Sequence, residues 1–480
     1  MKNSFDYLPK NERKKIMLIC DDIRVHSGVA TVAREIVTKT AHHFNWINIA
    51  GSIKHPDKGQ RLDVSEDTNK IINIDDSSVM LYPVDGYGNA DLIRDIINLE
   101  KPDAIMLITD PRYFEFIFAM ENEIRKHIPI AYLNIWDDYP APLYNKAYYE
   151  ACDLLMGISK QTVNINKLVL GDKKDDKINR YIPHGLDKNT FYPLEESNPQ
   201  WLEFQNFKNS VLVNKDIDFV LFFNSRNIRR KQIPDTMLSF RYFLDQLPKE
   251  KAKKCVMLLH TEIVNDHGTD LKAVKELLFE GFEDNVVFHT DKLPPNYMNY
   301  LYNMSDAQIL LSSNEGWGLS LTEAILVGNP VIANVTGGMQ DQLGFRNEKG
   351  EWIDFDADFP SNHTGKYKEC GEWAFPIFPS NRSIQGSPKT PYIWDDRCNA
   401  EDAAEQIMNI YSLSKKERKE IGIKGREFAI NEGGFTSERQ ADRVIEAFDT
   451  LFKTWIPRKN YEFINANIVD KKVVPHKLLY

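Results

Sequence analysis

The chain has 480 residues, 42% of them apolar and 27% charged, and a formal net charge of −10 at pH 7. That length fits two domains, each with its own core, and the composition is that of a globular protein rather than a disordered or fibrous one. The acidic balance argues against a protein built to coat nucleic acid, though it permits a local basic groove, and no apolar run approaches the ~20 residues of a membrane span.

Residues 1–15 are polar and lack the apolar centre of a signal peptide. Five cysteines, at 20, 152, 255, 370 and 398, show no CxxC spacing. They read as buried or free thiols of a reducing cytosol, not as a disulfide framework or zinc site. A cytoplasmic location is therefore expected.

Lys15 to Cys20 reads as a first strand, and Asp21 to Gly28 as a loop in which Ser27 can cap a helix. Val29, Val32, Ala33, Ile36 and Val37 recur at helical spacing. The turn His26-Ser27-Gly28-Val29-Ala30 is not a GxGxxG, so no nicotinamide cofactor is indicated. Strand-like runs follow at Trp46–Ile49, Val79–Tyr82, Ala104–Ile108 and Ile128–Leu133, with helical patterns around 90–99 and 114–126. This alternation predicts a parallel, doubly wound α/β sheet, whose ligands sit beyond the carboxyl ends of its strands. The side chains to examine there are Asp21, Asp22, Asp110, Arg112, Trp136, Asp137 and Asp138. Ser159-Lys160 opens another helix. Pro183-His184-Gly185-Leu186-Asp187, followed by Phe191 and Pro193, forms a turn that ends a buried strand.

Residues 194–216 are polar and read as irregular linker. A second alternation then runs through 218–223, 234–247, 255–260, 269–279, 285–288, 294–304 and 308–311. Ser225-Arg226-Asn227-Ile228-Arg229-Arg230-Lys231-Gln232 follows its first strand. Four cations in six residues usually form a solvated face, but at a strand's carboxyl end they suit a diphosphate. From Ser312 to Gly338 a glycine-rich turn with Gly316 and Gly318 leads into a helix, roughly Ser320–Val327. Gly328-Asn329-Pro330 stops that helix, and a short strand, Val331–Ala333, follows. A helix start after such a turn favours an anion. Glu315 and Glu323, with seven residues between them, can face one crevice and accept hydrogen bonds from sugar hydroxyls.

The Glu315…Glu323 stretch resembles the E-x7-E signature of retaining glycosyltransferases of the GT-B fold, the glycogen-synthase-like group that includes family four. The turn at Gly28, the Pro183–Asp187 segment and the Arg226…Lys231 pair resemble other motifs of that group in the same order. Two departures stand out. Ser225 and Gln232 replace family glycines, and Trp136 occupies the position of the family's catalytic histidine, with Asp137 as a polar substitute or a turn residue.

The resemblance implies two Rossmann-like domains facing a central crevice: an acceptor-side domain at 1–198, a linker at 199–216 and a donor-side domain at 217–440. A C-terminal helix crosses back within 441–480. It implies transfer of a sugar from a nucleotide diphosphate donor, UDP-sugar by preference, to an acceptor hydroxyl, with retained configuration and no further cofactor or metal. Arg226, Lys231, Glu315 and Asp137 would carry the chemistry. Gly28, His184, Gly316, Gly318, Leu319, Ser320, Leu321 and Glu323 would join Arg226, Lys231 and Glu315 in holding the donor. An epimerase or sugar phosphorylase on the same scaffold is an alternative reaction. A non-catalytic binder of nucleotide sugars is a further one.

Residues 345–397 exceed a compact family core, and aromatics there interleave with Lys366, Lys368, Arg382, Lys389 and Arg397. The chain looks like glycosyltransferases carried by tailed phages, some of which glycosylate hydroxymethylated bases in their own DNA. A DNA acceptor and a host-cytoplasm location are one expectation, and a saccharide or lipid-linked acceptor is the other. The oligomeric state stays open.

Overall fold

A computed structural model describes residues 7–52, 54–213, 216–355 and 365–459. Eight strands form the first sheet: β1 Lys14–Asp21, β2 Phe44–Gly51, β3 Leu62–Asp63, β4 Val79–Pro83, β5 Ala104–Ile108, β6 Ile130–Asn134, β7 Leu154–Gly157 and β8 Ile178–Tyr181. Their order is β3-β4-β2-β1-β5-β6-β7-β8, and every pairing except the β3–β4 edge is parallel. The central strands are apolar along their length because helices cover both faces. Ile16, Leu18, Ala104, Met106 and Leu133 are among the side chains buried there.

The second sheet contains β9 Phe219–Asn224, β10 Cys255–His260, β11 Val286–His289, β12 Ala307–Leu310, β13 Val331–Asn334 and β14 Ala374–Ile377. It is wholly parallel, in the order β11-β10-β9-β12-β13-β14. Reversals of strand order at β1/β5 and β9/β12 leave crevices at the carboxyl ends of both sheets. Those ends carry the glycine turns and charged residues singled out above. The predicted doubly wound α/β architecture is therefore observed, twice.

The helix Ser437–Thr454 crosses back. Although it follows the second sheet in sequence, it packs on the helix Gly28–Thr40 of the first. Phe448 meets Phe44 with ring centroids 5.7 Å apart, and Lys39 lies 3.6 Å from Glu438. Beyond it, the Arg458 N–H donates to the Arg125 carbonyl at 2.8 Å. Residues 460–480, read as tail, lie outside the described residues.

Four expectations need correction. Residues 201–211, taken as irregular linker, form a helix that seats Phe204 against Tyr300, and this burial stabilises a segment of modest helical patterning. The strand before Pro183 is an edge strand, only partly covered. The pattern at 114–126 breaks into separate short helices, Glu115–Ala119 and Glu121–Ile124. Residues 345–397 are not a simple addition: 374–377 supply β14, which pairs with β13. The rest includes an antiparallel hairpin, β15 Asn381–Ser387 and β16 Thr390–Arg397. Four-residue strands such as β14 carry too few side chains for periodicity to reveal them.

Candidate functional site

Carboxylates and cations converge where the two sheets face each other. The turn after β12 brings Glu315 to the floor of the crevice, only 8% exposed. From the turn after β9, the Lys231 ammonium donates to Glu315 Oε2, as does Arg230 Nη1 at 3.0 Å. Arg230 also donates to the Asn314 carbonyl at 2.8 Å. Burial alone would raise the Glu315 acid, but Arg230 and Lys231 outweigh it and hold the carboxyl at about 2. Burial pulls Lys231 down from its ordinary value, against the attraction of Glu315.

Asp137 enters from the opposite wall, on the turn after β6. Its Oδ1 lies 3.2 Å from where a β-carbon on Gly316 would stand. Burial raises the Asp137 acid; Arg230 opposes this, while Glu315 adds to it. Glycines allow the walls to approach so closely. A β-carbon at Gly316 would lie 2.8 Å from the Ile135 carbonyl oxygen, and one at Gly337 would lie 3.0 Å from that of Asp137.

Glu323, in the first turns of the helix Leu319–Val327, accepts from the Tyr302 hydroxyl and from Asn224 Nδ2 at 3.2 Å. Burial raises its acid, partly offset by those two donors. The helix starts at Gly318, which has φ +92°, and no side chain caps it. The N–H groups of Leu319 and Ser320 lie in its first turn, where helices favour anions, while that of Leu321 donates to the Gly318 carbonyl at 3.0 Å. Across the crevice Gly28 faces that start, its missing β-carbon 3.9 Å from Leu319 Cδ1. Ser27 caps the opposing helix through the Ala30 N–H at 3.0 Å, as its sequence suggested.

His184 is buried against Trp317, ring centroids 6.2 Å apart, and no hydrogen-bond partner for its Nδ1 is found among the described residues. Burial pulls its imidazole down to about 3, although Glu315 acts in the opposite direction. His184 is therefore neutral at physiological pH. Of the expected donor-side residues, Arg226 stands apart. It is exposed on the turn after β9, whereas Arg230, four positions on, reaches Glu315. Arg230 was read only as part of a charge run, and no spacing signalled its role. Gln232 adopts φ +51°, a left-handed conformation that favours glycine, the residue the family resemblance leads one to expect there.

Other strand-end residues are committed to internal bonds. Asp21 accepts from the Ser27 and Tyr87 hydroxyls at 2.6 and 2.8 Å. Asp22 pairs with Arg24, and Asp110 with Arg112. Trp136 is buried and donates from Nε1 to the Asp138 carbonyl at 2.8 Å. It therefore does not stand in for a histidine.

Residues 208–358, which include β9 to β13 and this whole donor-side cluster, match the family described as glycosyl transferases group 1. That segment of the chain is similar to glycosyl transferases group 1. An uncharacterized glycosyltransferase of Methanocaldococcus jannaschii is 21% identical over 271 residues, which are 55% of this chain and 61% of that protein. The chain thus aligns with less than two thirds of that relative's length. Solved structures share the fold. A glycosyltransferase of Rickettsia africae superposes with a TM-score of 0.62 at 16% identity, covering 92% of this chain and all of the other. The sucrose-phosphate synthase of Thermosynechococcus elongatus gives 0.64 at 15%, with the same coverage. HepE of Anabaena, solved in complex with UDP and glucose, gives 0.60 at 14%, again covering 92% and 100%. The two sheets are those of the GT-B fold. The group 1 segment supplies Arg226, Arg230, Lys231, Glu315 and Glu323, while Asp137, His184 and Gly28 come from the first sheet's turns. Among the described residues, no helix is long and apolar enough to cross a membrane.

Proposed function

We propose that the chain is a glycosyltransferase that moves a sugar from a nucleotide diphosphate donor to an acceptor hydroxyl with retained configuration. The observation that carries this reading is the cluster of Glu315, Arg230 and Lys231 beside the uncapped start of the helix Leu319–Val327. When the bond to the anomeric carbon breaks, negative charge grows on the leaving diphosphate. Preorganised cations and helix N–H groups at that position lower the barrier. Arg226, exposed on the same turn, closes on the diphosphate from the open side. Glu323 accepts the ribose hydroxyls, and Glu315 those of the transferred sugar. Asp137, whose acid is raised by burial, is suited in its ionised form to receive the acceptor's proton. With three cations at hand, side chains meet the charge without a metal, and EDTA should leave turnover unchanged. UDP is the nucleotide we favour, because HepE was solved with UDP bound in the same fold.

A saccharide acceptor is favoured over hydroxymethylated DNA. Stacking on bases requires free aromatic faces, and several of the described aromatics of 345–397 are already packed. Trp373 stacks on Phe428 at 4.8 Å, Trp352 lies beneath Lys160 Nζ at 3.6 Å, and Tyr392 meets Tyr144 at 5.1 Å. The test is incubation with labelled sugar nucleotides and a panel of oligosaccharides, hydroxymethylated DNA and plain DNA. NMR then reads the anomeric configuration of the product. Label in saccharide, with the donor's configuration, is expected. Label only in hydroxymethylated DNA would replace the acceptor assignment. Donor epimerised without transfer would replace the reaction.

A further inference from the structure

The β15–β16 hairpin leaves the second sheet and spans the crevice. On one side, the Trp394 N–H donates to the Tyr139 carbonyl at 2.7 Å, and Arg112 donates to Thr390 Oγ1 at 2.7 Å. On the other side, the Asp396 N–H donates to the Ser313 carbonyl at 2.9 Å. Tyr139 lies two residues from Asp137, and Ser313 two residues from Glu315. The hairpin thus ties together the two turns that carry the proposed chemistry.

At the centre of this tie, Asp138 and Asp396 are both fully buried. Both reach a single hydroxyl: Thr336 Oγ1 is 3.0 Å from Asp138 Oδ2 and 2.8 Å from Asp396 Oδ2. A hydroxyl has one proton and can donate to only one of them. Were both carboxylates ionised, one would face oxygen lone pairs with no solvent to screen the repulsion. Arg382 Nε donates to Asp396 Oδ1 at 2.7 Å, which sets a cation beside that carboxyl group and, among the described residues, none beside Asp138 Oδ2. Asp138 Oδ1 already accepts from the Tyr139 N–H at 2.7 Å and from Gln161 Nε2 at 3.0 Å. The proton therefore belongs on Asp138 Oδ2, and the bonds run from Asp138 Oδ2–H to Thr336 Oγ1–H to Asp396 Oδ2.

We propose that Asp138, Thr336 and Asp396 form a proton-holding clasp through which the hairpin fixes the two walls of the crevice, with Asp138 a positioning residue for Asp137 and Glu315. This role rests on reading that crevice as the donor site. Burial, and then the negative charge of Asp396, push the Asp138 acid well above its ordinary range. The charged and titratable groups beside the pair are Arg382 on β15, which donates to Asp396, and Cys398 just past β16.

Asp138 keeps its proton in the fold but loses it near the ordinary aspartate value, about 4, when unfolded. Its contribution to stability is therefore complete below that value and is lost as pH rises through the folded one. The test measures Tm of the full chain without ligand across pH 5–8, together with hydrogen exchange at the Trp394 and Asp396 amides. In Asp138→Asn the side-chain NH₂ replaces the donating Oδ2–H. We expect this variant to keep amide protection and to gain Tm over wild type as pH rises, the gap widening by roughly 2–4 °C. Thr336→Val should lose protection of both amides at every pH. An Asp138→Asn variant that melts below wild type by the same margin at pH 5 and pH 8 would overturn the protonated assignment. Unchanged protection in Thr336→Val would overturn the clasp. Neither readout uses a sugar nucleotide, so failure here is distinguishable from failure of the proposed transfer.

Discussion

A carboxylate flanked by two cations is stable only while it stays ionised. Glu315 is held at about 2 against an ordinary 4.5, because Arg230 and Lys231 outweigh its burial. Its contribution to stability is present above the ordinary value and is lost as pH falls toward 2. Glu315→Gln should melt below wild type at neutral pH, and the gap should close between pH 4.5 and 2 in a series of thermal scans. Arg226 predicts the opposite pattern. It is exposed, so Arg226→Ala should change stability by no more than about 0.5 kcal/mol. Its turnover should nevertheless fall by a factor on the order of 10², as expected when one charge partner of a transition state is removed. Unchanged kinetics in that variant would remove Arg226 from the site. The sequence made Glu315 and Glu323 legible because their spacing from a glycine turn fixes which way they face, and Lys231 legible through its offset from Arg226. Arg230 was not legible, since four cations in six residues do not reveal which one turns inward. Nor were Tyr302 and Asn224, which reach Glu323 from other elements.

At the scale of elements, bare backbone against backbone sets the geometry. The helix Lys415–Ile430 lies on the helix Leu319–Val327 where Gly422 meets the chain. A β-carbon at Gly422 would lie 1.8 Å from the Gly328 carbonyl oxygen. Gly422→Ala must therefore part the two helices and should cost about 1–3 kcal/mol, an overpacking effect readable by denaturant titration. Long helices such as 400–412 and 437–454 could be read from apolar spacing, and so could the buried runs of β1, β5 and β10. The four-residue strand β14 could not. Its place beside β13 is decided by pairing with a partner already in the sheet, a nonlocal effect that no window of residues contains. Residues 201–211 differ: Trp201, Phe204, Phe207 and Val211 recur at helical spacing inside a stretch read as linker, and Phe204 is buried on Tyr300.

Across the whole molecule, connections that span the crevice among the described residues include the segment around Leu186, the hairpin β15–β16 and the returning helix Ser437–Thr454. The Leu186 N–H donates to the Phe435 carbonyl at 3.1 Å, and the Ser437 N–H donates back to the Leu186 carbonyl at 3.0 Å. Phe448 on the returning helix is fully buried. Phe448→Ala should cost about 3–5 kcal/mol and expose amides of the helix Gly28–Thr40 in hydrogen exchange. That there would be two doubly wound sheets followed from two successive strand–helix alternations, and that they would face one crevice followed from the family resemblance. That a hairpin would bridge them did not, because its contacts to Tyr139 and Ser313 join positions more than 80 residues distant. The central claim is that the cluster at the crevice floor binds a nucleotide diphosphate, and calorimetric titration of UDP into wild type, Lys231→Ala and Glu323→Ala tests it most directly. The account predicts saturable one-to-one binding by wild type, weakened at least about tenfold in each variant as a charge-assisted or ribose hydrogen bond is lost; equal affinity in all three proteins would contradict it.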